Sequence, residues 1–211
     1  MSPKVPAVST ISDKIYDYLK NAIVTNKIPP NQRINEKEIA AMFDSSATPV
    51  REAVLRLYAE GFVSIERYRH VIVKDMSAER YQDLCDFMRI LDYNALKTAI
   101  KNLSDSDFKV LNDHLSAMQK HMETDSLEKF FDHSVMIHQK IWGNVENEVY
   151  FETLVQIYQR IRRYNYIRLS LFMSTDFLKT SFAKHKKLIE TLKSGKAAGL
   201  QKLVEEHWTY Q

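Results

Sequence analysis

Ala41-Met-Phe-Asp-Ser-Ser-Ala-Thr-Pro-Val-Arg-Glu-Ala-Val-Leu-Arg-Leu-Tyr-Ala-Glu-Gly-Phe-Val63 decides the fold. It reads as a helix, a tight turn, a second helix and the start of a strand. Asp44-Ser45-Ser46 makes the turn, and a serine here can cap the helix that follows. Pro49 falls in the first turn of that helix, where a missing N–H costs nothing. The helix runs to about Glu60, and Gly61 is the expected residue just past its end. Its opening is small and hydroxyl-bearing and its outer side carries arginines, the arrangement that places a helix N-terminus in a DNA groove.

On the upstream side, Ile11, Ile15, Leu19 and Ile23 recur every four residues and predict one buried face of a first helix. Pro29-Pro30-Asn31 closes the region after it, and Glu36 to Phe43 reads as a short second helix with Ile39, Ala40 and Phe43 inward. Downstream, Phe62-Val-Ser-Ile-Glu-Arg and Val71-Ile-Val-Lys read as two short strands around Tyr68-Arg69-His70. Three helices followed by a small hairpin make a winged helix-turn-helix. The expected organisation is a loose tail over residues 1–8, the winged domain over 9–75 and a second domain over 76–211.

All five prolines lie at or before Pro49, and the only glycines are Gly61, Gly143, Gly195 and Gly199. A proline-free, glycine-poor stretch rich in Leu, Lys, Glu, Ile and Phe predicts helices. About six are expected, over 78–101, 105–122, 126–142, 147–172, 176–194 and 197–209. Ser104 with Asp107 and Asp125 with Glu128 fit capping signals. The fold class is therefore mainly α: a winged helix-turn-helix joined to an all-helical bundle.

Several function classes drop out. No apolar run approaches the ~18 residues that span a bilayer, and Met1-Ser-Pro-Lys-Val-Pro-Ala-Val lacks the apolar centre of a signal peptide. The single cysteine, Cys85, forms no internal disulfide, so a reducing cytoplasmic compartment is expected. A Gly-rich phosphate loop is impossible with four scattered glycines. The net charge of +3 divides into +2 over residues 1–75 and +1 over the rest, so any DNA surface must come from local placement of charge.

Thr48, Arg51 and Glu52 occupy the first turns of the recognition helix. Arg51 reaches base edges or phosphate, while Ser46, Thr48 and the helix N–H groups suit phosphate oxygens. Lys37 on the preceding helix and Arg69 with His70 on the wing flank them. The alternative reading is that these charges simply solvate a surface.

Seven histidines are present. His185 and His207 are equidistant from residue 196, inside the expected hairpin Ser194-Gly195-Lys196, so they face one another if the two helices run antiparallel. His138, in Met136-Ile-His-Gln-Lys-Ile-Trp, has apolar neighbours suited to burial. Three neutral imidazoles meeting inside a bundle suit Zn²⁺ or a similar divalent ion. A histidine on a helix is otherwise a surface or satisfied core residue, and His114, His121 and His133 read as ordinary surface histidines. Tyr158-Gln-Arg-Ile-Arg-Arg-Tyr-Asn-Tyr-Ile-Arg reads as core aromatics with arginines on a solvated or dimer face.

Ile28-Pro-Pro-Asn-Gln-Arg-Ile-Asn-Glu-Lys-Glu-Ile-Ala and Ser46-Ala-Thr-Pro-Val-Arg-Glu-Ala-Val-Leu-Arg-Leu-Tyr-Ala-Glu-Gly-Phe-Val resemble the DNA-binding domain of the GntR family of bacterial transcription regulators. The helical remainder is similar to the FadR-type ligand domain, known as the FCD domain. Ala47 departs from the family's usual arginine, which removes a potential bidentate contact to guanine. His70 stands where the family usually has a glycine near the wing tip.

The resemblance implies a homodimer on a pseudo-palindromic double-stranded operator, regulated by a small organic acid. It implies a divalent metal ion held by three histidines, matched by His138, His185 and His207, and by an aspartate four residues before His138, where Ser134 stands. Ser134 thus belongs to the expected effector site. Arg89, in Phe87-Met-Arg-Ile-Leu-Asp, matches a family arginine expected to pair with the acid. A ligand-responsive regulator, most often a repressor in this family, is the leading reading. A direct metal sensor is the alternative. A metalloenzyme fits less well, because no His-Glu-x-x-His motif is present and no glutamate stands three residues before any of the three histidines.

Overall fold

A computed structural model describes residues 9–66, 70–75, 77–124, 126–172 and 175–209. The expected tail over 1–8, Arg69 on the wing and the Asp125 cap lie outside the described residues. The chain divides into two compact units, Met1–Met76 and Ser77–Gln211.

In the first unit α1 (Ile11–Val24) starts on a capping box: Thr10 Oγ1 accepts from the Asp13 N–H, and Asp13 accepts from the Thr10 N–H. Ile15, Leu19 and Ile23 are wholly buried, and α1 packs on α3 (Ala47–Ala59) through Val50, Ala53 and Leu57. Ile11 begins the same stripe but stands exposed in the first turn. Between them α2 (Glu36–Met42) is capped by Asn35. Asp44, at φ 46°, makes the reversal into α3, and Gly61, at φ 79°, ends α3 in the left-handed conformation that glycine adopts without strain.

The sheet holds a strand that the sequence reading lacked. β1 (Arg33–Ile34) pairs antiparallel with β3 (His70–Val73), which also pairs with β2 (Val63–Glu66), in the order β1-β3-β2. Two residues are too short to show alternation, so β1 is recognisable only through its partner. The register sets Val63 opposite Val73 and Ile65 opposite Val71. Val63, Val71 and Val73 turn to the core.

The second unit contains α4 (Ala78–Asn102), α5 (Asp105–Glu123), α6 (Leu127–Trp142), α7 (Glu148–Phe172), α8 (Thr175–Lys193) and α9 (Leu200–His207). The capping box expected at Ser104 and Asp107 forms. The last helix begins three residues later than expected, because Gly199, at φ 91°, holds its N-cap in a left-handed turn. The aromatics Tyr158, Tyr164 and Tyr166 are core, as predicted. The arginines correct the prediction: Arg162 and Arg163 are buried, with Arg162 paired to Asp132 at 2.5 Å and lying over the Tyr166 ring. No described helix is long and apolar enough to cross a membrane.

Candidate functional site

Two sites emerge, one in each unit. In the first, α3 presents its N-terminus outward. Ser46, Thr48, Arg51 and Glu52 are exposed, as is Lys37 on α2. Ser46 occupies the N-cap, yet its side chain makes no capping bond. The first N–H groups of α3 thus have no capping bond from Ser46, and a helix N-terminus without one suits an incoming phosphate oxygen. The arginine in the last turn of α3 is different: Arg56 pairs with Asp13 at 2.7 Å and covers the Tyr16 ring at 3.8 Å, so it ties α3 to α1. His70 opens β3 opposite Glu66, with its imidazole half-buried.

In the second unit α6, α8 and α9 bring His138, His185 and His207 together, with one ring nitrogen of each inside a span of 4.8 Å. The hairpin reading of His185 and His207 holds: their ring centroids are 4.9 Å apart. His138 is 5.1 Å from His185 and 5.0 Å from His207 by centroid, and its Nε2 is 3.1 Å from His207 Nε2. Burial is the main reason that all three resist protonation. His185 is pushed down to about 4, and His138 and His207 lie well below the usual histidine range, each lowered further by neighbouring histidines.

The donor set fits a divalent ion. His185 Nδ1 donates to the Ser181 carbonyl at 2.7 Å, which leaves the Nε2 lone pair directed toward the site. His138 and His207 offer facing Nε2 atoms, and their buried Nδ1 atoms have no hydrogen-bond partner among the described residues. The fourth position differs. Ser134, buried on α6, sets its hydroxyl 2.8 Å from His185 Nε2 and 2.5 Å from the Tyr158 hydroxyl. A neutral hydroxyl thus stands where the family pattern has a carboxylate. Asp132 turns away to Arg162.

Beneath the histidines lies a carboxylate that the sequence reading did not single out. Asp92 is wholly buried on α4 and accepts both indole N–H groups, Trp142 Nε1 and Trp208 Nε1, each at 2.7 Å. Burial pushes Asp92 up to about 6, against the opposing pull of the two indole bonds. Trp142 and Trp208 in turn pack on His138 at centroid distances of 5.0 and 5.1 Å. Asp92 therefore fixes both walls of the site. Its only sequence signal was an acid inside an otherwise apolar helix face.

A cavity of about 50 Å³ opens beside the histidines, and its lining includes Ser134, Tyr158, Asn165, Lys184, His185 and His207. Arg89 is not among the lining residues. It pairs with Asp86 and donates to the Trp208 carbonyl at 3.3 Å. The cation at the cavity is Lys184, half-buried and lowered from the usual lysine value by that burial. The sequence reading did not single it out.

The comparisons agree with this architecture. Residues 11–73 match the bacterial regulatory proteins of the gntR family, and residues 83–210 match the FCD domain. The Nta operon transcriptional regulator of Aminobacter aminovorans is 31% identical over 133 residues, covering 63% of this chain and 63% of that protein. The HTH-type transcriptional repressor RspR of Escherichia coli is 23% identical over 157 residues, covering 74% of this chain and 69% of that one. The solved structure of E. coli McbR/YncC shares the fold with a TM-score of 0.84 at 20% identity, covering 95% of this chain and 94% of that chain.

A winged helix-turn-helix unit followed by a helical bundle is the architecture of a two-domain transcriptional regulator. The chain belongs to the GntR family, in its FCD-domain class. The named relatives are transcriptional regulators.

Proposed function

We propose that this chain is a metabolite-responsive regulator, a repressor that works as a homodimer in the cytoplasm and reads a pseudo-palindromic operator. In the first unit the supporting observation is the exposed, uncapped N-terminus of α3 with Thr48 and Arg51 on it. Two such helices in a dimer enter successive major grooves about one helical turn apart.

The observation that carries the sensing half is the convergence of His138, His185 and His207 as neutral, buried imidazoles on three helices. These residues would hold a divalent ion such as Zn²⁺, which supplies a Lewis-acidic anchor for an anionic ligand. With Ser134 in the fourth position, no carboxylate stands among these candidate ligands to offset the charge of the ion. A small organic acid is then favoured as the group that completes it, and Lys184 at the cavity adds a second positive charge. Binding regulates only by favouring one of the dimer's arrangements over the other.

The test starts with selection of bound duplexes from a randomised pool. An inverted repeat should emerge. Anisotropy titration on that repeat, with Zn²⁺ and a panel of small organic acids, should show an affinity change of about fivefold or more only when metal and acid are both present. A pool with no enriched sequence overturns the DNA reading. A full response to metal alone overturns the metabolite reading in favour of a direct metal sensor.

A further inference from the structure

A second group of histidines lies in the helical unit, built from residues that the first site does not use. α5 and α6 pack closely as a hairpin whose turn follows Glu123. His114 stands nine residues before Glu123 at the end of α5 and His133 six residues after Leu127 at the start of α6, and the hairpin brings the two rings together. His121, two helical turns from His114 on the same face of α5, reaches the other side of His133. All three side chains are half-buried, which corrects their reading as ordinary surface histidines.

Their contacts are specific. His114 Nδ1 and His133 Nδ1 stand 3.0 Å apart. His121 lies parallel to His133, with ring centroids 5.5 Å apart and planes 10° from each other. The buried Nδ1 of His121 has no hydrogen-bond partner among the described residues. Two imidazole nitrogens this close must share either a proton or a cation, because two lone pairs repel. Two imidazoles bound side by side to one ion at 2.0–2.1 Å hold their nitrogens about 2.9–3.4 Å apart, which includes the observed distance.

We propose that His114 and His133 form a second divalent-metal site, taking the imidazole-seeking ions Cu²⁺, Ni²⁺ and Zn²⁺, with His121 walling one side. Burial favours neutral, ligand-competent rings at His121 and His133. The nearby Lys120 and Lys129 oppose a bound cation, and Asp132 beside His133, which also pairs with Arg162, offsets part of their charge. The half-buried setting leaves the other coordination positions to water. An ion here clamps the α5–α6 hairpin across its two arms. Among the three metals Cu²⁺ binds such nitrogen donors most strongly, which makes it the probe of choice.

The test is a Cu²⁺ titration of the full chain, counting equivalents by calorimetry and following histidine ring protons by NMR. In the unaltered protein the ring protons of His114 and His133 should broaden within the first equivalents of Cu²⁺. His133→Gln and His114→Gln should each remove one equivalent or weaken it about tenfold or more, with unchanged circular dichroism. His185→Ala should leave that equivalent in place, so failure of the central three-histidine site and failure of this one are told apart. The proposal is overturned if the His114 and His133 protons stay sharp while Cu²⁺ binds elsewhere. It is equally overturned if both glutamine variants keep the full stoichiometry and affinity.

Discussion

Ser134 Oγ lies 2.8 Å from His185 Nε2, at the position where the family pattern has a metal-binding aspartate. The hydroxyl is wedged between that imidazole and the Tyr158 hydroxyl, on the wall of the cavity beside the histidines. A serine satisfies the histidine without adding charge. An aspartate in its place would sit among three neutral imidazoles and supply a fourth, anionic donor. Ser134→Asp should therefore raise Zn²⁺ affinity by about tenfold or more, as restoring a supporting group in a metal site does. Competition against a chromophoric chelator measures it. Equal or weaker affinity in the variant would show that these three histidines do not converge on an ion.

Asp92 should be the most costly residue to lose in the helical unit. It is wholly buried and accepts two indole N–H bonds, so Asp92→Ala leaves both donors unsatisfied in a closed core. An unsatisfied buried donor costs about 1–3 kcal/mol, and the burial of the carboxylate itself offsets part of the sum. A loss of about 2–4 kcal/mol in urea denaturation is expected for Asp92→Ala. Asp92→Asn should fall between, since an amide oxygen accepts from one indole while its NH₂ faces the other. Trp142 and Trp208 are the only tryptophans in the chain, so their fluorescence reports this unit alone. An Asp92→Ala protein as stable as the unaltered one would contradict the role.

Arg51 and Arg56 lie on the same helix and should separate by assay. Arg51 is exposed near the N-terminal end of α3, whereas Arg56 joins Asp13 and the Tyr16 ring. Arg51→Ala should cost about 1–3 kcal/mol of specific operator binding and leave the melting temperature where it was. Arg56→Ala should change stability by at most about 1 kcal/mol, because its ion pair is half exposed, and should affect DNA binding less than Arg51→Ala. The ranking is read from anisotropy and thermal melts side by side. Unchanged operator affinity in Arg51→Ala removes that residue from the interface.

The parts of this fold that could be read in the sequence are those set by local rules. The Asp44–Ser46 turn, Gly61 at the end of α3 and the Ser104 capping box follow from residue chemistry within a few positions. The meeting of His185 and His207 followed from hairpin symmetry, a long-range contact that sequence numbering alone can give. His114 and His133 also meet across the α5–α6 hairpin, but at unequal distances from its turn, so numbering alone did not pair them and each passed as a surface residue. β1 escaped because two residues carry no period. Asp92, Lys184 and the buried Arg162 escaped for a different reason: burial of a charged group depends on what three or four separate helices bring to it. Arg89 shows the converse, since its expected place at the pocket came from resemblance alone, while the structure sets it against Asp86 and the Trp208 carbonyl.

The three central histidines also predict how stability varies with pH. Each has a folded-state value below that of a free histidine, so between the two values the unfolded chain binds more protons than the folded one. Stability from these groups is then fully present above pH 6.5 and is lost as pH falls toward 4 and below. For His185, with a folded value of about 4 against 6.5, the contribution is about 3 kcal/mol. Asp92 works the other way: its value is raised to about 6 from 3.8, so it favours the folded state on the acid side and loses that contribution as pH rises through 6. Three histidines outweigh one aspartate, and the helical unit should become less stable on moving from pH 7 to pH 5. His185→Phe should flatten that slope by removing one of the protonatable groups. Urea midpoints at the two pH values, followed by tryptophan fluorescence, give the comparison. A midpoint that stays level or rises toward pH 5 would mean that the histidines are not held neutral together in the folded protein.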